Sequence, residues 1–312
     1  MSDPKNQHII PQCYLKQFVD PNTPKGHESY VWIFERDKKI GKKRAPKNIL
    51  AETDFYTLKT KLGGKDYIIE KKLSQLESEY AVVFDKKIKN KTPLNNYEHI
   101  ILCAFVAAML QRTLKQKENI ESFLDQIIEH TESLEKAHGL KPKKSLELKK
   151  EKENAHKISV VQMIPHITEI LLKMNLAFLC SDKKGSFITS DAPAYLFNSH
   201  LQWQNFYGPD LKQRYIEVVI PLSTEVTVIF SWVNNLRGYV QVGADRVHDL
   251  NRMLFGRSHK YFIANSPKIK RMWFRRYPLD PIFILRIIKK RILPQLKYKL
   301  SNFKYNVRGK RN

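Results

Sequence analysis

The sequence predicts an α+β fold: a central buried helix with surrounding helices, a mainly antiparallel sheet, and a basic C-terminal extension. Three observations predict it. Residues 100–110 form an apolar run with no charged side chain and three alanines, which favours helix over strand and enclosure on most sides. Residues 66–89 carry Ile69, Leu73, Leu76, Tyr80 and Val83 at three- and four-residue spacing, the period of an amphipathic helix. Beyond Asn175 the character changes: residues 216–220 and 226–230 are rich in β-branched side chains and are separated by Pro221-Leu222-Ser223-Thr224, a strand–turn–strand pattern.

Taken in order, residues 8–18 begin extended, because Pro11 restricts Ile10, and then form a short helix with Tyr14, Leu15 and Phe18 on one side. Residues 20–26, with two prolines and a glycine, are a loop. Residues 30–34 have strong strand propensity, and Asp37-Lys38-Lys39 turns them into a basic partner strand over 40–44. A further short extended piece ends at Asp54-Phe55-Tyr56, and Gly63-Gly64 marks the next turn. In the helix that follows, Glu70 and Glu77 lie nearly along one face, two turns or about 10 Å apart. Pro93 ends that region, and Asn95 or Asn96 caps the central helix. The central helix is expected to continue as an amphipathic arm through Ile120, Leu124, Ile127, Ile128 and Leu134 to Gly139. Residues 141–157, charged and containing Pro142, read as an exposed loop; helix resumes over 158–174, with Pro165 as a kink site. Residues 176–180 and 186–189 flank Lys183-Lys184-Gly185 and are expected to pair as a hairpin. Residues 239–242 add a strand, 245–255 a helix, and Tyr261-Phe262-Ile263 closes the compact part. The expected division is residues 1–264 as one α+β domain and 265–312 as the basic extension.

Charge is the abnormal property of the composition. The net charge is +24, and residues 265–312 hold fifteen Lys and Arg against the single acid Asp280. That segment therefore carries +14 and leaves +10 for the rest of the chain. Such an excess predicts attraction to polyanions, whether DNA or RNA or an anionic membrane surface. Cys13, Cys103 and Cys180 have no paired spacing, so neither a disulfide framework nor a zinc site is supported. The N-terminus lacks the basic-then-apolar pattern of a signal peptide, and no apolar run reaches the roughly twenty residues of a membrane span. The expected compartment is the cytoplasm.

Two short segments carry chemistry. Gln111, Arg112 and Thr113 follow the apolar run without a break, and a guanidinium there is costly unless it meets a carboxylate or a ligand. It is either a structural ion pair at a helix end or the floor of a site. In Phe187-Ile188-Thr189-Ser190-Asp191-Ala192-Pro193 a strand runs into an acid at its end; Asp191 either faces a cleft or braces a turn through the backbone. Phosphate-loop, dinucleotide, zincin and nucleophile-elbow motifs are absent from the sequence.

Taken together, His8-x-x-Pro11-x-x-Tyr14-Leu15, Asp54-Phe55-Tyr56, the Glu70 and Glu77 helix, Gln111-Arg112-Thr113, Ser190-Asp191-x-Pro193 and Pro221-Leu222-Ser223 resemble the bacterial family catalogued as domain of unknown function 4238. The similarity covers about residues 8–264 and omits the basic tail. It implies a fold relationship and brings no established activity. The residues it marks, His8, Glu70, Glu77, Arg112 and Asp191, are of catalytic type. Glu70, Glu77 and Asp191 with a His can hold Mg²⁺ or Mn²⁺ while Arg112 stabilises charge on a phosphate; alternatively His8 is a general base without metal. The structural alternatives are a hydrogen-bonded His8 near a chain end and a solvated face for the two glutamates. In the tail, Lys268, Lys270, Arg271, Trp273, Arg275 and Arg276 interleave cations with an aromatic ring, which suits phosphate contact with base stacking. Residues 281–293 suit an interfacial helix, or plain packing on the body. The resulting expectation is a nucleic-acid-binding protein with a metal-dependent nuclease activity, catalytic through His8, Glu70, Arg112 and Asp191. The alternative is a non-enzymatic effector attaching to nucleic acid or membrane through its tail. Phage defence fits a bacterial protein of this charge.

Overall fold

A computed structural model of the chain describes residues 6–38, 40–60, 64–182, 185–198, 210–233 and 235–274. The elements in order are β1 (Asn6–His8), α1 (Gln12–Leu15), β2 (Val31–Glu35), β3 (Gly41–Arg44), β4 (Ala51–Thr53), β5 (Leu58–Lys59), β6 (Lys65–Asp66), α2 (Ile68–Val83), α3 (Asn96–Gln111), α4 (Leu114–Ala137) and α5 (Lys144–Lys173). They continue with β7 (Asn175–Ser181), β8 (Thr189–Ser190), β9 (Tyr195–Asn198), β10 (Ile216–Pro221), β11 (Val226–Ser231), β12 (Gly238–Val242), α6 (Ala244–Arg257) and β13 (Tyr261–Ala264). The fold is α+β, as expected from the sequence.

The apolar run becomes the axis of the core. A reciprocal capping box starts α3: the Asn95 side chain accepts from Glu98 N at 2.9 Å, and the Glu98 carboxylate accepts from Asn95 N at 2.8 Å. From Ile101 to Met109 all but Ala104 are buried, with α2 and α5 packed against the helix. Phe105 stacks on Tyr80 and meets Tyr14, so α1, α2 and α3 share one aromatic seam.

Three sequence-based expectations about the elements fail for identifiable reasons. The central helix does not run on to Gly139. Arg112 leaves helical geometry at φ −85°, ψ 1°, and Thr113 caps a new helix by accepting from Gln116 N at 3.2 Å. Residues 144–157 are helical rather than loop, as the first half of α5. Their start is capped from outside: the Glu135 carboxylate of α4 accepts from the N–H groups of Lys144 and Ser145 and from the Ser145 hydroxyl. Ion pairs Lys149–Glu132 and Lys152–Asp125 then zip α5 antiparallel to α4. The expected hairpin across residues 183–185 does not form either. β7 lies in a five-stranded sheet of order β12-β7-β11-β10-β9, whereas β8 is the edge of a four-stranded sheet of order β3-β2-β13-β8.

Both sheets are antiparallel except for the parallel pair β7–β12. The β2–β3 and β10–β11 hairpins are as the turn residues predict. The compact unit reaches Trp273, beyond the expected limit at 264, because that indole is buried and donates to His248 of α6 at 3.3 Å. Among the described residues no helix is long and apolar enough to cross a membrane.

Candidate functional site

Arg112 is the largest fully buried side chain among the described residues, 1% exposed. The break between α3 and α4 turns it into the interior between β1, α2 and the 54–57 turn, where each of its three nitrogens is met by a partner. Nη1 donates to Glu77 Oε1 at 2.6 Å, Nη2 donates to the His8 carbonyl, and Nε donates to the Tyr56 hydroxyl at 3.3 Å. Tyr56 in turn donates to the Arg112 carbonyl at 2.9 Å and offers its ring face to the guanidinium. Desolvation works against the charge on Arg112, but Tyr56 and Glu77 outweigh it and hold the group protonated. A charge buried this deeply is tolerable only when paired and hydrogen-bonded, and here it is both.

Tyr56 is delivered by local chemistry. Asp54 adopts a left-handed φ of 57°, Thr57 N donates back to Asp54 O at 3.1 Å, and Tyr56 N donates to the Gln7 side chain. Gln7 also donates to Thr57 at 2.9 Å, which ties β1 to the turn and fixes the neighbouring His8. Behind Tyr56 stands His156 of α5, buried, with Nε2 at 3.0 Å from the Gln111 carbonyl. Its imidazole is held below the usual histidine range by burial.

Two members of the cluster are left with open valence. Glu70 lies on the same face of α2 as Glu77, and its buried Oε2 has no hydrogen-bond partner among the described residues. Burial pushes its carboxyl up to about 7, with Arg112 pulling down and the Glu77 charge pushing up. His8, half-buried, has Nε2 at 3.3 Å from the Lys47 carbonyl. A carbonyl only accepts, so the proton sits on Nε2 and the neutral ring keeps a lone pair on Nδ1. Burial lowers the His8 pKa, opposed by the Lys47 bond and the Glu77 charge. A proton donor, a proton acceptor and a fixed cation thus share one cluster.

Residues 6–268 match the model of a family described as "Protein of unknown function (DUF4238)". The chain belongs to this family. No curated protein and no solved structure matches it. Within the matched region, the family-like motifs converge in two places. One is the Arg112 cluster, which joins His8, Tyr56, Glu70, Glu77 and Arg112. The other joins Tyr14, Thr189 and Pro221: the buried Tyr14 hydroxyl donates to the Pro221 carbonyl at 2.6 Å and accepts from Thr189 at 2.7 Å.

Asp191, two residues beyond Thr189, has partners of its own. It is 3% exposed, and its carboxylate accepts from the backbone N–H groups of His259 (2.9 Å), Lys260 (2.6 Å) and Tyr261 (2.8 Å). These bonds close the turn from α6 into β13, the bracing role that an acid at a strand end can fill. Glu70, Glu77 and Asp191 are not gathered as one ligand set: among the described residues no three or more His, Cys, Asp or Glu side chains are placed to hold a metal ion. Lys268 and Lys270 are exposed. Trp273, expected to stack on bases, is buried against α6 instead. The Arg271 side chain and Arg275, Arg276 and the 281–293 segment lie outside the described residues. Sequence reasoning missed His156 entirely; Tyr56 was visible only as part of Asp54-Phe55-Tyr56.

Proposed function

We propose that the protein binds nucleic acid and that the Arg112 cluster is an acid–base site acting on a phosphodiester. The observation that carries this is Glu70: a carboxyl pushed up to about 7, with a buried oxygen that no group among the described residues satisfies. A carboxyl of that kind is half protonated at neutral pH, where it can give or take a proton efficiently. His8 supplies the opposite proton function through Nδ1. Arg112 has three of its donors occupied by the chain itself, so it is a positioning residue: it fixes Glu77, Tyr56 and the His8 backbone and supplies a stationary positive charge. The net charge of +24 supplies attraction to the polyanion.

The test is cleavage of labelled RNA and DNA by the intact protein, with EDTA in one arm and added Mg²⁺ or Mn²⁺ in the other. Glu70→Gln is expected to abolish cleavage while the protein stays folded. His8→Gln is expected to slow it by about 100-fold or more, the usual contribution of a positioned base. Cleavage that survives Glu70→Gln sinks the site.

A second reading is a non-enzymatic effector that attaches to nucleic acid or an anionic membrane through its basic segment. The pairing of Arg112 favours it, since a guanidinium whose three nitrogens all bond its own chain is a structural ion pair. Salt-sensitive binding with no cleavage under any metal condition would select this reading.

A further inference from the structure

Beside the Arg112 cluster, on the other side of residues 47–50, the four-stranded sheet carries a groove of about 270 Å³. Its lining follows from register. β3 is an edge strand, and its pairing with β2 sets Ile33 against Lys42 and Val31 against Arg44. Lys42 and Arg44 are two residues apart, so both point to the groove face, their Cα atoms about 6.6 Å apart along the strand. On the far side β13 pairs with β2 and sets Tyr261 against Glu35. The floor is apolar, made by Ile33, Ile49 and Leu50. Glu35 is the acid in the lining, and it is held by Lys38 at 2.5 Å and Lys42 at 3.6 Å. The rim is thus cationic, the floor apolar, and Tyr261 lines one wall.

The groove and the cluster share the segment 47–50 as a common border. Leu50 lines it in a left-handed conformation, φ 52°, which is uncommon for a side chain with a Cβ. The carbonyl of that same Leu50 accepts from Ile9 N at 2.8 Å, the residue after His8. Lys47, between β3 and Ile49, presents its carbonyl to His8 Nε2. A ligand lying along β3 toward residue 50 therefore runs toward His8.

We propose that this groove is a nucleotide subsite for single-stranded nucleic acid: one base against Tyr261 over Ile33, Ile49 and Leu50, and successive phosphates on Lys42 and Arg44. Charge complementarity selects a polyanion, and the apolar floor with an aromatic wall selects one that exposes flat bases, which a closed duplex does not. The volume lies near the low end of small-ligand clefts, about 300–1,000 Å³, and suits one base. The inference deepens the proposed function and rests on it, since it supplies the track that brings a phosphodiester to His8 and Glu70.

The test uses full-length Glu70→Gln protein, so that binding is read apart from cleavage, with iodouridine-substituted single-stranded RNA and DNA as probes. Ultraviolet cross-linking followed by peptide mass mapping is expected to label Tyr261. Lys42→Ser with Arg44→Ser, both at exposed positions, is expected to remove that label. It should also reduce the log–log salt slope of binding by about 1.4, two phosphates at about 0.7 each on a single strand. Lys149→Ser with Lys150→Ser on α5 removes the same charge and is expected to leave label and slope unchanged. Label confined to other peptides, an unchanged slope in the β3 variant, or competition at Tyr261 by polyglutamate but not by oligonucleotide overturns the subsite. A Tyr261 label on a protein that never cleaves leaves the subsite standing and removes the acid–base reading; cleavage without the label does the reverse.

Discussion

The Arg112 cluster and the Asp191 turn are built from the same materials, a buried charge and backbone amides or carbonyls, and they end in opposite states. Asp191 accepts three backbone N–H groups and closes the passage from α6 into β13. Nearby, Tyr14, Thr189 and Pro221 satisfy one another in a chain of short hydrogen bonds. The Arg112 cluster is equally tight around the guanidinium, yet it leaves Glu70 with a buried oxygen that has no partner among the described residues. Native proteins rarely leave buried polar atoms unpaired, and a carboxyl with a raised pKa in a polar cluster is where reactivity is looked for first. Family-like motifs mark both places. Motif membership alone therefore separates nothing; the open valence does.

The largest expected effect breaks the first cluster. Arg112→Ala strands Glu77 and the His8 carbonyl together, while the Tyr56 hydroxyl keeps its bond to the residue-112 carbonyl, and losing one partner of a buried pair costs about 3–5 kcal/mol. Urea unfolding at neutral pH should show that loss. Arg112→Lys, which keeps the charge without the fork, should fall between. Adding Glu77→Gln to Arg112→Ala should cost less than the sum of the two, because the stranded charge is gone. Strict additivity would mean that the ion pair carries no coupling and that the cluster is looser than its distances imply.

Next in size is the brace. Asp191→Ala leaves three buried N–H groups without an acceptor, for a loss of about 2–4 kcal/mol, and Asp191→Asn, which keeps one acceptor oxygen, should lose less. The same unfolding measurement decides it. An Asp191→Ala protein as stable as the parent, but inactive in cleavage, would make Asp191 a reactive group and erase the contrast between the two places.

Much of this fold was legible. The uninterrupted run at 100–110, the Asn95 cap and the β2–β3 and β10–β11 turns are local signals, and local signals survive into the structure. One failure was itself local, the Thr113 cap that ends the central helix early; the other two were set at a distance. α5 begins at Lys144 because Glu135, on another helix, caps it; the charged sequence of 144–157 has no cap of its own. The hairpin across residues 183–185 fails because the partners of β7 and β8 come from β11, β12 and β13. The candidate site shows the same division. Arg112 and Glu77 could be suspected from an arginine at the end of a buried run and a helix with paired acids. Asp191 was ambiguous in sequence, since an acid at a strand end serves a cleft or a turn equally well, and only the three amide donors choose. His156 gave no signal, because its partners are the Gln111 carbonyl and two aromatic rings.

The smallest effect is also the sharpest test of the open valence. Glu70 titrates near 7 when folded and near 4.5 as a free side chain, so the folded state binds this proton more tightly than the unfolded state. Below about pH 4.5 both states carry the proton and Glu70 costs nothing. Between 4.5 and 7 the unfolded chain ionises first, so stability falls as pH rises; above 7 the cost is complete. Glu70→Gln has no such titration. It should therefore match the parent near pH 4.5 and exceed it above pH 7, by about 1 kcal/mol once the shift is discounted for partial exposure. Other carboxylates titrate in both proteins and cancel in the difference, so the quantity to measure is the stability difference between variant and parent from pH 4.5 to 8. A difference that rises through this window places an unsatisfied carboxyl beside Arg112. A flat line would make Glu70 an ordinary solvated glutamate, and the two buried charge clusters would then be equally closed.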